Sequence, residues 1–193
     1  GRRVTLFLER PHWETRVWLD DQYIGANNSL STPHVHDFGQ NVAPGKHIVT
    51  ICVNNEMIVN VGANAHSVSE HTQSNWNGIV GRIELRAGSP TWVDDVQVYP
   101  DAARRSARVQ IRLCSALSRE TALTLSAQAA RVDGGQPISS ARERVNLAPG
   151  ARVVEIELAL GGDAPLWDEF QPALHTLTAA LEGESDGQTL QDA

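Results

Sequence analysis

The chain has 193 residues, of which 41% are hydrophobic and 20% charged, a balance that excludes a disordered polymer and suffices for one large domain or two of ordinary size. The formal charge of −7 is divided as −3 over residues 1–100 and −4 over residues 101–193, so neither half offers the basic surface that nucleic acid requires. No apolar run approaches the roughly 20 residues that span a bilayer as a helix, and neither a nucleic acid nor a membrane is expected as a partner.

From the N-terminus, almost every segment reads as strand. Gly1-Arg2-Arg3 leads straight into Val4–Glu9, as though the chain began inside a domain. Arg16–Asp20 and Gln22–Gly25 follow, with Asp20-Asp21 as a tight hairpin turn between them. His47–Asn54, Ile79–Ala87 and Val93–Tyr99 complete the first half. The second half contributes Arg108–Cys114, Thr121–Ala129, Arg142–Leu147, Arg152–Leu160 and Leu174–Glu182. These runs are short, rich in Val, Ile, Thr and Leu, and many are bounded by turn residues. Helical periodicity is nearly absent, and Thr121–Ser126 alternates in the two-residue period of a strand.

One local pattern occurs twice. Asn41-Val42-Ala43-Pro44-Gly45 and Asn146-Leu147-Ala148-Pro149-Gly150 each place a Pro-Gly turn before an alternating strand, proline fixing φ and glycine accepting a positive one. We read this as two β-sandwiches meeting the same turn problem. A boundary near Tyr99-Pro100-Asp101 is expected, giving one domain over 1–100, a second over 101–183 and a polar tail over 184–193. Six of the seven histidines and four of the five tryptophans precede residue 100, which points to recognition in the first domain and a structural role for the second.

Asp20-Asp21, Asp94-Asp95 and Asp168-Glu169 read as surface or turn charge, because neighbours on a strand point to opposite faces. His34-Val35-His36 puts two imidazoles on one face beside Asp37; zinc is one reading and loop histidines bonding the backbone the other. Cys52 and Cys114 read as two buried thiols in strands. No nucleophile elbow, phosphate loop or activated thiol setting occurs, and no cofactor or metal is expected. Trp13 and Trp76 lie among polar residues, where a flat ring suits a sugar; Trp18 and Trp92 read as packing residues. The most informative stretch runs from His71 to Leu85. It joins a loop rich in hydrogen-bonding side chains to a segment with the two-residue period of a half-buried strand, and polar aromatic loops on rigid sheets are common recognition sites.

These residues carry a resemblance. Phe7–Gly25, with Val17-Trp18-Leu19-Asp20-Asp21-Gln22-Tyr23-Ile24-Gly25, resembles the strand–hairpin segment of the sugar-binding-type jelly-roll domain of glycoside hydrolase family 2, the β-galactosidase and β-glucuronidase family. Ser31–Phe38, Pro44–Asn55 and Asn75–Ile83 are similar to the next three segments of that domain. Pro165-Leu166-Trp167 through Pro172-Ala173-Leu174-His175-Thr176-Leu177 resembles a segment of the immunoglobulin-like domain that follows in the family, with His175 where tyrosine is usual and Trp167 as a packing anchor.

The resemblance implies an all-β chain, a jelly-roll β-sandwich followed by an immunoglobulin-like β-sandwich. It implies the non-catalytic N-terminal portion of a retaining exo-β-glycosidase, cut at both ends, whose catalytic glutamates sit in a (β/α)8 barrel of the same parent chain. The expected partners are that barrel and a carbohydrate substrate. In several relatives an Asp six residues before the Gly-Ile signature touches the sugar; here that position is Thr72. The implied substrate contacts are therefore His71, Thr72, Gln73, Asn75 and Trp76, with no catalytic residue in the chain. The alternative is a stand-alone carbohydrate-binding or adhesion module.

Overall fold

A computed structural model describes residues 2–66, 68–69, 71, 77–134, 136–185 and 188–192. The described residues are all β. The chain divides into two compact units, Gly1–Ala87 and Gly88–Ala193.

The first unit contains β1 (Arg3–His12), β2 (Glu14–Leu19), β3 (Gln22–Asn27), β4 (His34–Gly39), β5 (Val49–Asn54) and β6 (Gly78–Gly88). They form two three-stranded sheets, β4-β1-β6 and β3-β2-β5. The hairpin turns at Asp20-Asp21 as expected, with Asp20 in the left-handed region at φ 51°. That turn brings Trp18 against Tyr23, their ring centroids 5.4 Å apart. Leu6, Leu8 and Val17 are buried between the sheets, with Ile24, Phe38, Val49, Ile51 and Ile79 packed partly against them. The apolar core is small because three inward positions are polar: Thr15, His34 and His36 are buried with them.

The second unit contains β7 (Thr91–Asp101), β8 (Ser106–Ser115), β9 (Thr121–Arg131), β10 (Ser139–Leu147), β11 (Gly150–Ala159), β12 (His175–Ser185) and β13 (Gln188–Asp192). Three strands, β11-β8-β7, face four, β10-β9-β12-β13. This is an immunoglobulin-like sandwich in which the fourth strand has moved to the sheet of the third, sixth and seventh. Strict alternation builds its core. Val109, Ile111 and Leu113 point inward from β8, and Leu123, Leu125 and Ala127 from β9. Each fully buried leucine here contributes about 1.5–3 kcal/mol.

Several expectations need correction. The strand Thr91–Asp101 pairs along its length with β8, so the units divide at 87/88 and not near residue 100. The expected tail is also ordered: β13 pairs with β12 from Ser185↔Gln188 to Leu181↔Asp192. Cys52 is exposed and only Cys114 is buried, both as free thiols; Cys52 lies on the outward side of β5. Trp167 is no packing anchor, being 62% exposed on the loop before β12. Both Pro-Gly turns lie in connections that cross from one sheet of a sandwich to the other, β4 to β5 and β10 to β11, with Gly150 at φ 104°. β6 is a strand, but Ile83 and Leu85 are exposed. Among the described residues it is the edge of its sheet, and of its apolar residues Ile79 packs on the core.

Candidate functional site

The loop of interest connects β5 to β6. Strand register fixes the end of the first sandwich from which it springs. Glu14 at the start of β2 lies opposite Asn54 at the end of β5, and Thr15 lies opposite Asn27 near the end of β3. Trp13 ties this end together: its backbone N–H donates to the Asn54 carbonyl at 3.0 Å, and its indole N–H donates to the Asn28 carbonyl at 2.7 Å. The first part of the loop bonds to itself. Ser69 donates through its hydroxyl to the Ala63 carbonyl at 2.5 Å, and Asn60 Oδ1 accepts from the Gly62 N–H. At the far side, Asn55 Nδ2 donates to Asn77 Oδ1, closing the loop's two ends on each other. Gly78, at φ 84°, then turns the chain into β6 where a side chain would be strained.

Of the expected substrate contacts, His71 is an exposed turn residue in this loop. Thr72, Gln73, Asn75 and Trp76 lie outside the described residues, as does Glu70. Trp13, the other tryptophan considered for a sugar, is only 5% exposed; it packs and bonds inside the sandwich end. A shallow cavity of about 300 Å3 beside it is lined by Glu14, Ala26, Asn27 and Asn28. This polar rim was not singled out in the sequence. The signal for it is pairing register, which brings Asn27, Asn54 and Glu14 to one end from three strands.

Beneath the rim is a buried polar relay. His34 Nε2 lies 2.7 Å from the Ser29 carbonyl, which can only accept, so that nitrogen carries the proton. His34 Nδ1 is then the acceptor for the Thr15 hydroxyl, 2.7 Å away. The Thr15 oxygen in turn accepts from His36 Nε2 at 3.0 Å. Protons thus point one way, from His36 through Thr15 and His34 to Ser29. The histidines bond a hydroxyl and the backbone, and among the described residues no group of three metal-ligating side chains occurs. Ser29 belongs to the turn after β3, where its N–H donates to Asn27 Oδ1 and its hydroxyl accepts from Thr32. The relay therefore holds the loop that carries the Asn27-Asn28 rim.

Burial pushes both imidazoles below their ordinary range, and the charge of His34 adds to the effect on His36. The unfolded chain therefore binds more protons just below about pH 6.5. Stability from these two rings is complete above that value and is lost as pH falls through their lower folded pKa values. We expect the histidine Cε1 protons of His34 and His36 to titrate by NMR with midpoints below 6.5. A midpoint at or above the ordinary value for either ring is incompatible with the relay. His47 behaves oppositely. Its Nδ1 lies 2.9 Å from Asp20 Oδ2 and its Nε2 lies 2.8 Å from the Ala43 carbonyl, so both nitrogens face acceptors. The Asp20 carboxylate holds His47 above its usual range and is itself held below its own. This pair borders an open cleft of about 740 Å3 at the opposite end of the sandwich, with Asp21, Gln22, Gln40 and Asn41 around it.

On the outer side of β6, Arg82 donates from its backbone N–H and its Nε to Glu9 Oε2 at 2.9 and 3.0 Å. Those bonds hold the Glu9 carboxyl below the usual carboxylate range. The Arg86 guanidinium carbon stacks 3.5 Å from the Phe7 ring centroid. Gly81 sits at φ 88°, where a side chain would be strained, and a Cβ there would push aside the Glu9 carboxylate 2.7 Å away. The paired acids behave as surface charge. Asp20, Asp94 and Asp168 are exposed and bond to the Ile48 N–H, to Arg112 and to two loop amides respectively.

Two sandwiches in tandem, the second immunoglobulin-like, define the class of fold. Solved glycosidases share it over almost the whole chain. A Bacteroides uniformis β-glucuronidase matches at a TM-score of 0.76 and 14% identity, over 99% of this chain and 23% of its own. A family 2 glycosyl hydrolase from Bacteroides cellulosilyticus matches at 0.71 and 17%, over 100% of this chain and 25% of its own. A β-D-mannosidase from Dictyoglomus thermophilum matches at 0.69 and 14%, over 98% of this chain and 26% of its own. The chain thus spans about a quarter of the length of each, and its fold is that of a region of family 2 glycoside hydrolases. No family model and no curated protein matches the sequence.

Proposed function

We propose that this chain is the non-catalytic N-terminal portion of a family 2 retaining exo-β-glycosidase. The observation that carries the reading is the match to three glycosidases over at least 98% of this chain and at most 26% of theirs. In this reading the parent cleaves a terminal β-linked sugar by double displacement between two carboxyl groups, both supplied by a barrel beyond this chain. The first sandwich contributes the β5–β6 loop to the rim of the substrate pocket. His71, Thr72, Gln73, Asn75 and Trp76 are its proposed substrate contacts; the two ends of the loop are joined by the Asn55–Asn77 bond.

Two measurements test this. The chain by itself is expected not to turn over nitrophenyl glycosides, whereas the full-length polypeptide does; contaminant-free turnover by the chain alone overturns the division of labour. In the full-length protein, Trp76→Ala is expected to lower kcat/KM about tenfold, equivalent to ~1.4 kcal/mol of lost binding, with an unchanged melting profile. If the variant instead unfolds the first sandwich, Trp76 is a packing residue and the contact is lost as an idea. The second reading, a stand-alone carbohydrate-binding module, is favoured by the polar 740 Å3 cleft at the far end of the sandwich. It would replace the first if the coding sequence stopped at Ala193 and the chain bound glycans on its own.

A further inference from the structure

We propose that Asn77-Gly78 is a self-modification site: the asparagine amide cyclises onto the glycine nitrogen, loses ammonia and opens to isoaspartate and aspartate, altering the bond that joins the two ends of the β5–β6 loop. The effect on turnover rests on the reading of that loop as part of a glycosidase pocket; the modification itself does not.

Asparagine followed by glycine occurs once in the chain, and the chemistry needs that glycine. A side chain on the following residue crowds the approach of its nitrogen to the asparagine Cγ. Gly78 has none, and no atom lies within 4 Å of where a Cβ would stand. Asn77 is exposed and precedes β6 by one residue. Asn55 Nδ2 donates to Asn77 Oδ1, which polarises the carbonyl under attack as an oxyanion-hole donor does. The Gly78 nitrogen gives up its proton and bonds to Cγ. The Cγ–Nδ2 bond breaks, and Nδ2 departs with that proton as ammonia, leaving a five-membered imide. Water then opens one of the two imide C–N bonds. Opening at Cγ gives aspartate. Opening at the main-chain carbonyl carbon gives isoaspartate, whose chain runs through Cβ and Cγ. Nothing is oxidised or reduced.

The structure withholds the same reaction from its competitors. At Asn28-Ser29 the attacking group would be the Ser29 N–H, but that donates to Asn27 Oδ1 at 3.0 Å, and the Asn28 carbonyl is held by the Trp13 indole. Asn60 Oδ1 accepts from the Gly62 N–H, which holds that side chain in a turn of its own. Asp133-Gly134 has the small neighbour, yet its carboxylate bonds the Arg131 guanidinium. That partner keeps it ionised, the form that does not cyclise. At Asn77 the products act on the loop directly. Both add a negative charge where the amide stood. Isoaspartate also lengthens the main chain by one carbon between Trp76 and β6, and it moves the acceptor for Asn55 from the side chain into the backbone.

The experiment incubates the folded full-length polypeptide in mildly alkaline buffer and follows it by peptide mapping, with fragmentation that separates isoaspartate from aspartate. Asn77 is expected to convert before any other asparagine, with isoaspartate in excess, and nitrophenyl glycoside turnover to fall in step with its isoaspartate content. Asn77→Gln is expected to abolish both changes, because glutamine would have to close a slower six-membered ring. Conversion of Asn28 or Asn64 ahead of Asn77 overturns the proposal, as does conversion of Asn77 in the denatured chain only. A decline in turnover that persists in Asn77→Gln, or full conversion with turnover undiminished, overturns the effect on the loop. Turnover before incubation scores the parent reading separately. Conversion in a polypeptide that never turns over glycosides keeps the modification site and discards the glycosidase, and turnover with Asn77 left intact does the reverse.

Discussion

Trp13→Ala is expected to destabilise the first unit by about 3–5 kcal/mol, the usual cost of removing a buried tryptophan. The ring is 5% exposed, its N–H is committed to the Asn28 carbonyl, and its backbone closes the first sandwich end through Asn54. The variant therefore loses apolar burial and leaves a carbonyl without its donor, and the end of the sandwich from which the β5–β6 loop springs loosens. The check is denaturant unfolding followed by near-ultraviolet circular dichroism, with Trp13→Phe as a milder partner that keeps the ring volume in part. A sugar-contacting tryptophan would show the reverse pattern, with weaker substrate binding and an unchanged unfolding midpoint. That outcome would return Trp13 to the recognition surface.

The second large effect is expected from Thr15→Val. Valine matches threonine in shape, so packing is kept and only the hydroxyl is lost. His34 Nδ1 then has no donor and His36 Nε2–H no acceptor, both inside the sandwich. Each orphaned buried group costs about 1–3 kcal/mol, giving about 2–6 kcal/mol together. Thr15→Ser keeps the hydroxyl and is expected to cost about 1 kcal/mol, the value of one buried methyl group. The diagnostic quantity is the gap between the two variants. If valine and serine behave alike, the relay carries no net stabilisation and the histidines are merely tolerated. The gap is also expected to narrow as the pH falls below the ordinary histidine value, because a protonated His34 no longer accepts from the hydroxyl.

The strands that sequence alone revealed are those whose inward positions are apolar. β8, β9 and β11 alternate so regularly that chemistry and geometry coincide. The strand that escaped notice in the first unit, β4, inverts the rule. His34 and His36 point inward and Val35 is half exposed, so the hydrophobic period marks the wrong face. Only tertiary context, the Thr15 hydroxyl and the Ser29 carbonyl, makes imidazoles acceptable there. β13 was hidden for another reason. Gln188–Asp192 is polar apart from Leu190, which is 2% exposed and belongs to the core; one inward residue leaves no period to detect. The misplaced boundary has the same origin. Pro100 reads as a break, yet it sits in β7 opposite Ala107, at the end of an outer strand where a missing N–H is cheap. The loop was found from its composition, but its frame of Trp13, Asn54, Asn55 and Asn77 depends on register and could not be.

The edge formed by β6 has a consequence for the chain as a material. Gly78–Gly88 is eleven residues long and borders its sheet with Ile83 and Leu85 bare to solvent. A long apolar edge is a template on which another molecule's strand can be added, the first step toward a fibril. What opposes this is the alternate side chains of the same strand. Arg82, Glu84 and Arg86 are tied to one another and to Glu9, and they present mixed charge to any incoming copy. Such guards act through Coulomb forces and weaken with added salt. On this margin the guard of the free chain is three charged residues, Arg82, Glu84 and Arg86.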